Sequence, residues 1–393
     1  MNLINVCKKK IKNYLGVPDY NPEPRRMESK LPTHKGVLLF SYIDAPLFWN
    51  ENDSRLNGHS NNWESREIAK IFNELGFAVD AISWSDQFFY PDKRSYDVIF
   101  DIHTNLQRWA PFVSSSCKKI LHITGSYFRF QKDAELARVA ALEARTGKLY
   151  SPKRIASDLD LAERSYRLAD TCSLIGNKVT FDTFPLEYKK KITPIPVSGS
   201  RLDYVKSIRE EYIPASREFL WFYGGGAVHK GLDLVLEVFA RNPHLKLHVV
   251  AKLESERDFF KIYSNHFGLP NITYHGYLHP SSYQFKELGS KIFANIAPSC
   301  SEGISPATVT CMQYGFYPII SRHNGITLPD RAGMYLETCS IDEIEQRVIE
   351  AYEAPTDLLV EQIRVAQTFA LHEYSRENFS QKMRAFLIQS LGL

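Results

Sequence analysis

Two glycine-punctuated segments, WFYGGGAVHKGLDLVLEVFA from Trp221 to Ala240 and APSCSEGISPATVTCMQYGFYPII from Ala297 to Ile320, restrict this chain to very few architectures. In the first, the apolar run Phe219 to Tyr223 predicts a buried strand, and Gly224, Gly225 and Gly226 allow a tight turn with free N–H groups. Lys230 and Gly231 then open an amphipathic helix with Leu232, Val235, Leu236 and Phe239 on its core face. Around the second, Ile292 to Ala297 predicts a strand, Glu302 falls on the loop after it, and Ser305 and Pro306 suit the N-cap and first turn of a helix. Gly315 ends that helix before another strand, Pro318 to Ser321. Strand, loop and helix, twice over, call for a parallel sheet, whose carboxyl edge is where ligand-binding residues collect. Each unit also aims a helix N-terminus at that edge. Such termini receive anions, and a lysine there opposes the helix dipole unless an anion joins it, so the pair points to a phosphorylated ligand.

In chain order the signals are the glycine loop, the KG pair, NITYHGYL from Asn271 to Leu278, PSCSEG from Pro298 to Gly303, a helix with Met312 and Gly315, and YPII from Tyr317 to Ile320. This order resembles the donor-binding half of the retaining GT-B glycosyltransferases, especially the large family 4, over Phe219 to Ile326; elsewhere the resemblance is one of topology. It implies an α/β GT-B fold, two Rossmann-like domains facing a central cleft. It implies an enzyme that moves a hexose-type sugar from a nucleotide-diphosphate sugar to a saccharide or lipid-linked acceptor, with retention at the anomeric carbon, in glycan or polysaccharide biosynthesis. No metal or other cofactor is expected.

By the same resemblance, Lys230 contacts the diphosphate, Glu302 the donor-sugar hydroxyls, and the backbone of Ser305, Ala307 and Thr308 runs along the diphosphate. Tyr277 and Leu278 mark the nucleobase edge. Three positions depart from the family pattern. Thr310 stands where a second glutamate usually holds the ribose, Gly225 where an arginine is common, and Pro306 where an N–H is often presented. Arg201, Arg217 and His229 are the candidates to replace the missing cation. Two other readings stay open: a sugar-nucleotide epimerase on the same fold, and a non-catalytic nucleotide-sugar binding subunit.

At 393 residues and 44% apolar content, the chain is long enough for two α/β domains. A net charge of +3 is too near balance for a nucleic-acid footprint. The six cysteines show no CxxC or ligand-like spacing, as expected of reduced thiols in a cytoplasmic protein. No apolar run approaches the roughly 20 residues that cross a bilayer, and no signal peptide is visible. Residues 1–16, MNLINVCKKKIKNYLG, mix apolar and basic positions; they are either a helix for an anionic membrane surface, placing the protein peripherally at the inner face, or a frayed or docked terminus.

The expected division is a basic segment and linker over 1–33, an acceptor-side domain over 34–200, a donor domain over 201–375, and a helix over 376–393 that packs back on the first domain. Strands are expected at Val37 to Tyr42, Ala78 to Ile82, Tyr96 to Asp101, Lys119 to Ile123 and Cys172 to Ile175. Helices are expected at Trp63 to Leu75, Glu135 to Arg145, Ala156 to Ala169 and Arg376 to Ile388, with a long polar loop from Phe48 to Asn62. His103 and His122 fall near carboxyl ends of strands and are candidates to touch substrate; each is otherwise a half-buried imidazole with an ordinary hydrogen bond. The slot the family gives a histidine lies nearer Thr124 or Gly125. Asp158 and Asp160 read as a solvated helix face rather than a metal pair, because their carboxylates diverge by about 200° around a helix. Lys189, Lys190 and Lys191 read as a solvated loop.

Overall fold

The structure is a computed structural model that describes residues 23–393 apart from positions 33, 59, 92–94, 157 and 202–215. The basic segment 1–16 and most of the expected domain boundary therefore lie outside the described residues.

Two sheets form. In the first, β1 (Arg25–Met27), β2 (Gly36–Tyr42), β3 (Phe77–Ser83), β4 (Val98–Asp101), β5 (Lys118–Ile123), β6 (Thr171–Ile175) and β7 (Ile192–Ile195) lie in the order β1-β3-β2-β4-β5-β6-β7. In the second, β8 (Glu218–Phe222), β9 (Leu247–Val250), β10 (Ile272–Tyr274), β11 (Ile292–Ala297), β12 (Tyr317–Ser321) and β13 (Met334–Leu336) lie in the order β10-β9-β8-β11-β12-β13. Every pairing is parallel except β1 with β3. Parallel strands need crossovers, which put helices on both faces, and the strands bury accordingly. Leu38 and Phe40 enter one core cluster and Leu39 the other; Phe219 and Trp221 part from Leu220 and Phe222 in the same way. Strand order reverses between β2 and β4 and again between β8 and β11, and the crevice outside the carboxyl ends at such a point is the usual ligand position in this architecture.

The helices that matter for the site are α1 (Ser60–Glu74), α2 (Phe128–Thr146), α3 (Leu232–Arg241), α4 (Pro306–Gln313), α5 (Thr356–Glu373) and α6 (Arg376–Leu391). Ser305 caps α4, its side chain accepting from the Thr308 N–H, with Pro306 in the first turn. Gly231, at φ 73°, sits just before α3, so Lys230 precedes the helix by one residue more than a first-turn position. α6 lies on α1 of the first lobe, where Phe379 meets Trp63 edge-on at 5.7 Å and Ser380 donates to Glu67 at 2.5 Å.

Several local expectations are corrected. The stretch 48–62 is not one loop: short 3-10 turns at Ala45–Phe48 and Ser54–Asn57 order it, and α1 begins at Ser60. Asp158 is an N-cap, accepting from the Leu161 N–H at 2.9 Å, so the acidic pair is a cap and a first-turn residue. β1 falls in a proline-containing stretch that reads as connector; its register is fixed by Arg26, whose guanidinium meets the buried Asp80 at 3.1 Å. The five described cysteines are all unpaired and buried, and no described helix is long and apolar enough to cross a membrane.

Candidate active site

A cleft of about 970 Å³ lies between the two lobes. The first lobe lines it with the start of α1, Thr124, Arg154 and Val197; the second with Tyr223, Gly224, Gly225, Lys230, Lys252, Tyr277, Glu302, Ser305, Ala307 and Thr310. On its floor the Lys230 ammonium and the Glu302 carboxylate form a close ion pair, both side chains nearly buried. Burial pushes the Glu302 carboxyl up, but Lys230, His229 and Arg154 outweigh that and hold it below the ordinary carboxylate range. Burial pulls Lys230 down, with Glu302 opposing. We take the pair as ionised, because the contact and hydrogen bond favour charge on both. Lys230 also stands 5.2 Å over the Tyr223 ring. The sequence leaves open whether this lysine faces solvent; it does not.

Glu302 is held by its backbone as well. Its carbonyl accepts from Ser126 Oγ of the first lobe at 2.8 Å. The next residue, Gly303, has no room for a side chain: a Cβ would lie 2.4 Å from the Ile175 carbonyl oxygen and 2.7 Å from that of Thr124. The glycine of SEG therefore serves close approach of the lobes rather than turn geometry.

The glycine loop differs from its sequence reading. The N–H groups of Gly226 and Ala227 donate to the Glu256 carboxylate at 2.6 and 3.0 Å, and Tyr150 of the first lobe donates to the same group at 3.0 Å. An internal carboxylate thus occupies the concavity expected to cradle phosphate, and Gly226 does not line the cleft; Gly224 and Gly225 do. At α4, the Ser305 N–H donates to the Asn324 carbonyl and the Thr308 N–H to Ser305 Oγ. Pro306 has no N–H, and Ala307 after it lines the cleft. Thr308 is buried with its hydroxyl between Ser305 and Asn324, outside the cleft lining. Thr310 lines the cleft, but its hydroxyl donates to the Pro306 carbonyl at 2.9 Å.

At the expected nucleobase edge, Tyr277 lines the cleft with the Lys252 ammonium 4.4 Å from its ring centroid. Leu278 instead packs into the core cluster with Phe222 and Phe285.

Neither candidate histidine of the first lobe lines the cleft. His103 is exposed at the turn after β4, its ring 5.5 Å from Trp84. His122 is fully buried; alternation along β5 turns it under the sheet, where it stacks on Phe100 at 5.6 Å and meets Ser173 Oγ at 2.8 Å. Burial pulls it to about 3, so it is neutral. Thr124, one position past β5, does reach the cleft. Of the candidate replacement cations, Arg217 is spent on the Tyr352 and Ala354 carbonyls, and His229 bonds the Ser301 carbonyl at 2.7 Å beside Glu135 at 3.4 Å.

Glu64, on α1, lines the cleft yet shows no exposed surface. Burial pushes its carboxyl up to about 7 against the Ser198 N–H, which donates to it at 2.7 Å, and the charge of Arg376. Sequence reasoning missed it because nothing marks one glutamate of an amphipathic helix as buried. The folded state binds this proton more tightly than the unfolded chain, so its contribution to stability is full below about 4.5 and is lost as pH rises through about 7. His122 acts in the opposite sense between about 3 and 6.5 but is common to both proteins in a comparison with Glu64→Gln. The difference in unfolding free energy between wild type and Glu64→Gln is therefore expected to move against wild type from pH 5 to pH 8. Denaturant melts across that range check it, and a flat difference would contradict a neutral Glu64.

Polar ties from the first lobe to the second surround the cleft. From α2, Arg138 donates to the Pro298 carbonyl at 2.7 Å, and Arg145 reaches Asp233 at 2.6 Å and Glu237 at 3.1 Å; beyond it Lys153 meets Asp258 at 2.8 Å. The described residues contain no cluster of His, Cys, Asp and Glu side chains able to hold a metal ion.

No protein-family model matches the chain, and no curated protein matches it in sequence. Solved structures do match. Sucrose-phosphate synthase from Thermosynechococcus elongatus superposes with a TM-score of 0.64 at 12% identity, over 90% of this chain and 99% of that one. Anabaena HepE, in complex with UDP and glucose, gives 0.56 at 10%, over 91% and 99%. A point mutant of S. aureus TarM, in complex with fondaparinux, alpha-GlcNAc-glycerol and UDP, gives 0.52 at 10% over 75% of this chain; the chain spans only 55% of TarM. With two sheets, parallel but for edge strand β1, about one cleft, the chain has the GT-B fold.

Proposed function

We propose that this GT-B chain is a glycosyltransferase that takes a sugar from a nucleotide-diphosphate donor and passes it, with retention of anomeric configuration, to a saccharide or lipid-linked acceptor in glycan or polysaccharide assembly. The observation that carries the reading is the buried Lys230–Glu302 pair on the floor of the interlobe cleft. Departure of a nucleoside diphosphate needs a fixed cation where negative charge develops, and a cationic sugar centre is stabilised by a fixed carboxylate beside it. The pair supplies both, from side chains that are themselves nearly buried, where charges act strongly. Tyr277 under Lys252 offers the base a flat face, and Ala307 offers the phosphate one N–H. Residues 34–200 form the acceptor side and 201–375 the donor side, with 376–393 returning to the first. A bound UDP in HepE and TarM favours UDP as the nucleotide. The segment 1–16 would hold the enzyme at an anionic membrane surface, near a lipid-linked acceptor.

The test is thermal unfolding of the full chain with UDP-, GDP- and ADP-sugars. A ligand present at about 100 times its dissociation constant stabilises the fold by about 2.7 kcal/mol, which raises the midpoint measurably. One nucleotide is expected to stand out. No shift with any nucleotide sugar at millimolar concentration would overturn the reading.

A further inference from the structure

A diphosphate carries more negative charge than Lys230, already paired with Glu302, can balance, and the glycine loop gives little help because two of its N–H groups are taken by Glu256. The remaining cations at the cleft are mostly committed. Arg55 is held by Asp53 at 2.6 Å, and Lys252 lies over Tyr277 on the nucleobase side. Arg154 differs. It projects from the first lobe, lines the cleft, and is exposed; among the described residues no carboxylate pairs with its guanidinium.

We propose that Arg154, carried in from the opposite lobe, is the second cation for the diphosphate of the nucleotide; the inference rests on the nucleotide-sugar reading above. Its charge lowers the carboxyl of Glu302 and opposes that of the Lys230 ammonium, which puts it beside the pair. Its stem rests on the glycine loop: a Cβ on Gly226 would come within 3.5 Å of Arg154 Cγ and Cδ. Its backbone is pinned. The Arg154 N–H donates to both oxygens of buried Glu135 at 3.0 and 3.1 Å, and Gln131 donates to its carbonyl at 2.5 Å. Glu135 in turn faces His229 at 3.4 Å, the residue before Lys230. The two cations, one from each lobe, are thus fixed relative to one another through Glu135, while the guanidinium itself is left to a ligand. A planar fork of this kind suits phosphate oxygens.

Titration calorimetry of the full chain with UDP, GDP and ADP, and with uridine, guanosine and adenosine, measures what the diphosphate adds. Arg154→Gln is expected to weaken nucleoside-diphosphate binding by about 10- to 100-fold, the range of a charge-assisted bond, and to leave nucleoside affinity unchanged. Its thermal midpoint should stay near that of wild type, because among the described residues no carboxylate pairs with the guanidinium and its charge acts in opposite senses on Glu302 and Lys230. Arg154→Lys is expected to recover part of the loss. Unchanged diphosphate affinity in Arg154→Gln would overturn the role of Arg154 and leave the nucleotide-sugar reading standing. Failure of the wild-type chain to bind any nucleoside diphosphate would overturn that reading and this inference together.

Discussion

Replacing Lys230 with alanine is expected to remove most of the activity and, at the same time, to destabilise the fold. The chemical loss follows from taking away the buried cation proposed to face the leaving group, an effect of about 10²- to 10³-fold in turnover for a fixed charge-stabilising donor. The structural loss follows from its partner. Glu302 is nearly buried, and a buried carboxylate stripped of its cation costs up to about 3–5 kcal/mol unless it takes up a proton. The two losses separate in the double variant Lys230→Met, Glu302→Gln, which leaves neither charge of the pair behind: stability should return while activity stays low. Denaturant melts and initial rates on the three proteins are the measurement. A Lys230→Ala protein with wild-type catalytic efficiency would sink the donor-site assignment, and one with a wild-type melt would mean the ion pair contributes nothing to the fold.

Glu302→Gln is the second large effect. The amide keeps the shape and still accepts a hydrogen bond from Lys230, so the leaving-group cation stays in place. What disappears is the negative charge that favours a cationic sugar centre. Turnover is therefore expected to fall by about 10²-fold or more while affinity for the free nucleoside diphosphate changes only a few-fold, because only the transition state uses the lost charge. Rates under saturating donor, set beside calorimetric affinities, decide the matter. Equal losses in both would make Glu302 a structural residue that seats the loop against Ser126.

Much of this arrangement was legible in the sequence, and the reason is local. β11 follows from five apolar residues and Asn295, bounded by Pro298 and Lys291, and the cap of α4 from a serine before a proline, because each is decided by neighbours within a few positions. That Lys230 and Glu302 face the cleft was legible for the same reason: both follow strands and precede helices. What the sequence hid is what distant segments decide. Glu256 gives no sign that it will fill the glycine loop, since that contact joins residues about thirty positions apart. Arg154 sits in a polar stretch between helices, where one arginine looks like any other. His122 lies within β5 and is turned under the sheet, whereas Thr124, past the carboxyl end of that strand, reaches the cleft. β1 was lost because two arginines and a methionine at an edge, paired antiparallel, carry no periodic signal.

The ties that run from α2 into the second lobe bear on how this chain can be divided. Asp233 is wholly buried in the second lobe, and burial pushes its carboxyl up to about 6 against the pull of Arg138 and Arg145, both of which belong to the first. Tyr150 likewise helps fill the coordination of Glu256 from across the boundary. A fragment spanning the second sheet by itself would therefore contain an acid with no counter-charge and a loop missing one of its donors. The stretch from Arg138 to Lys153 behaves as a piece of the second lobe that happens to be encoded in the first. Splitting, swapping or grafting the lobes would have to carry it along, and recombination at the expected boundary near residue 201 would leave half of an electrostatic circuit behind.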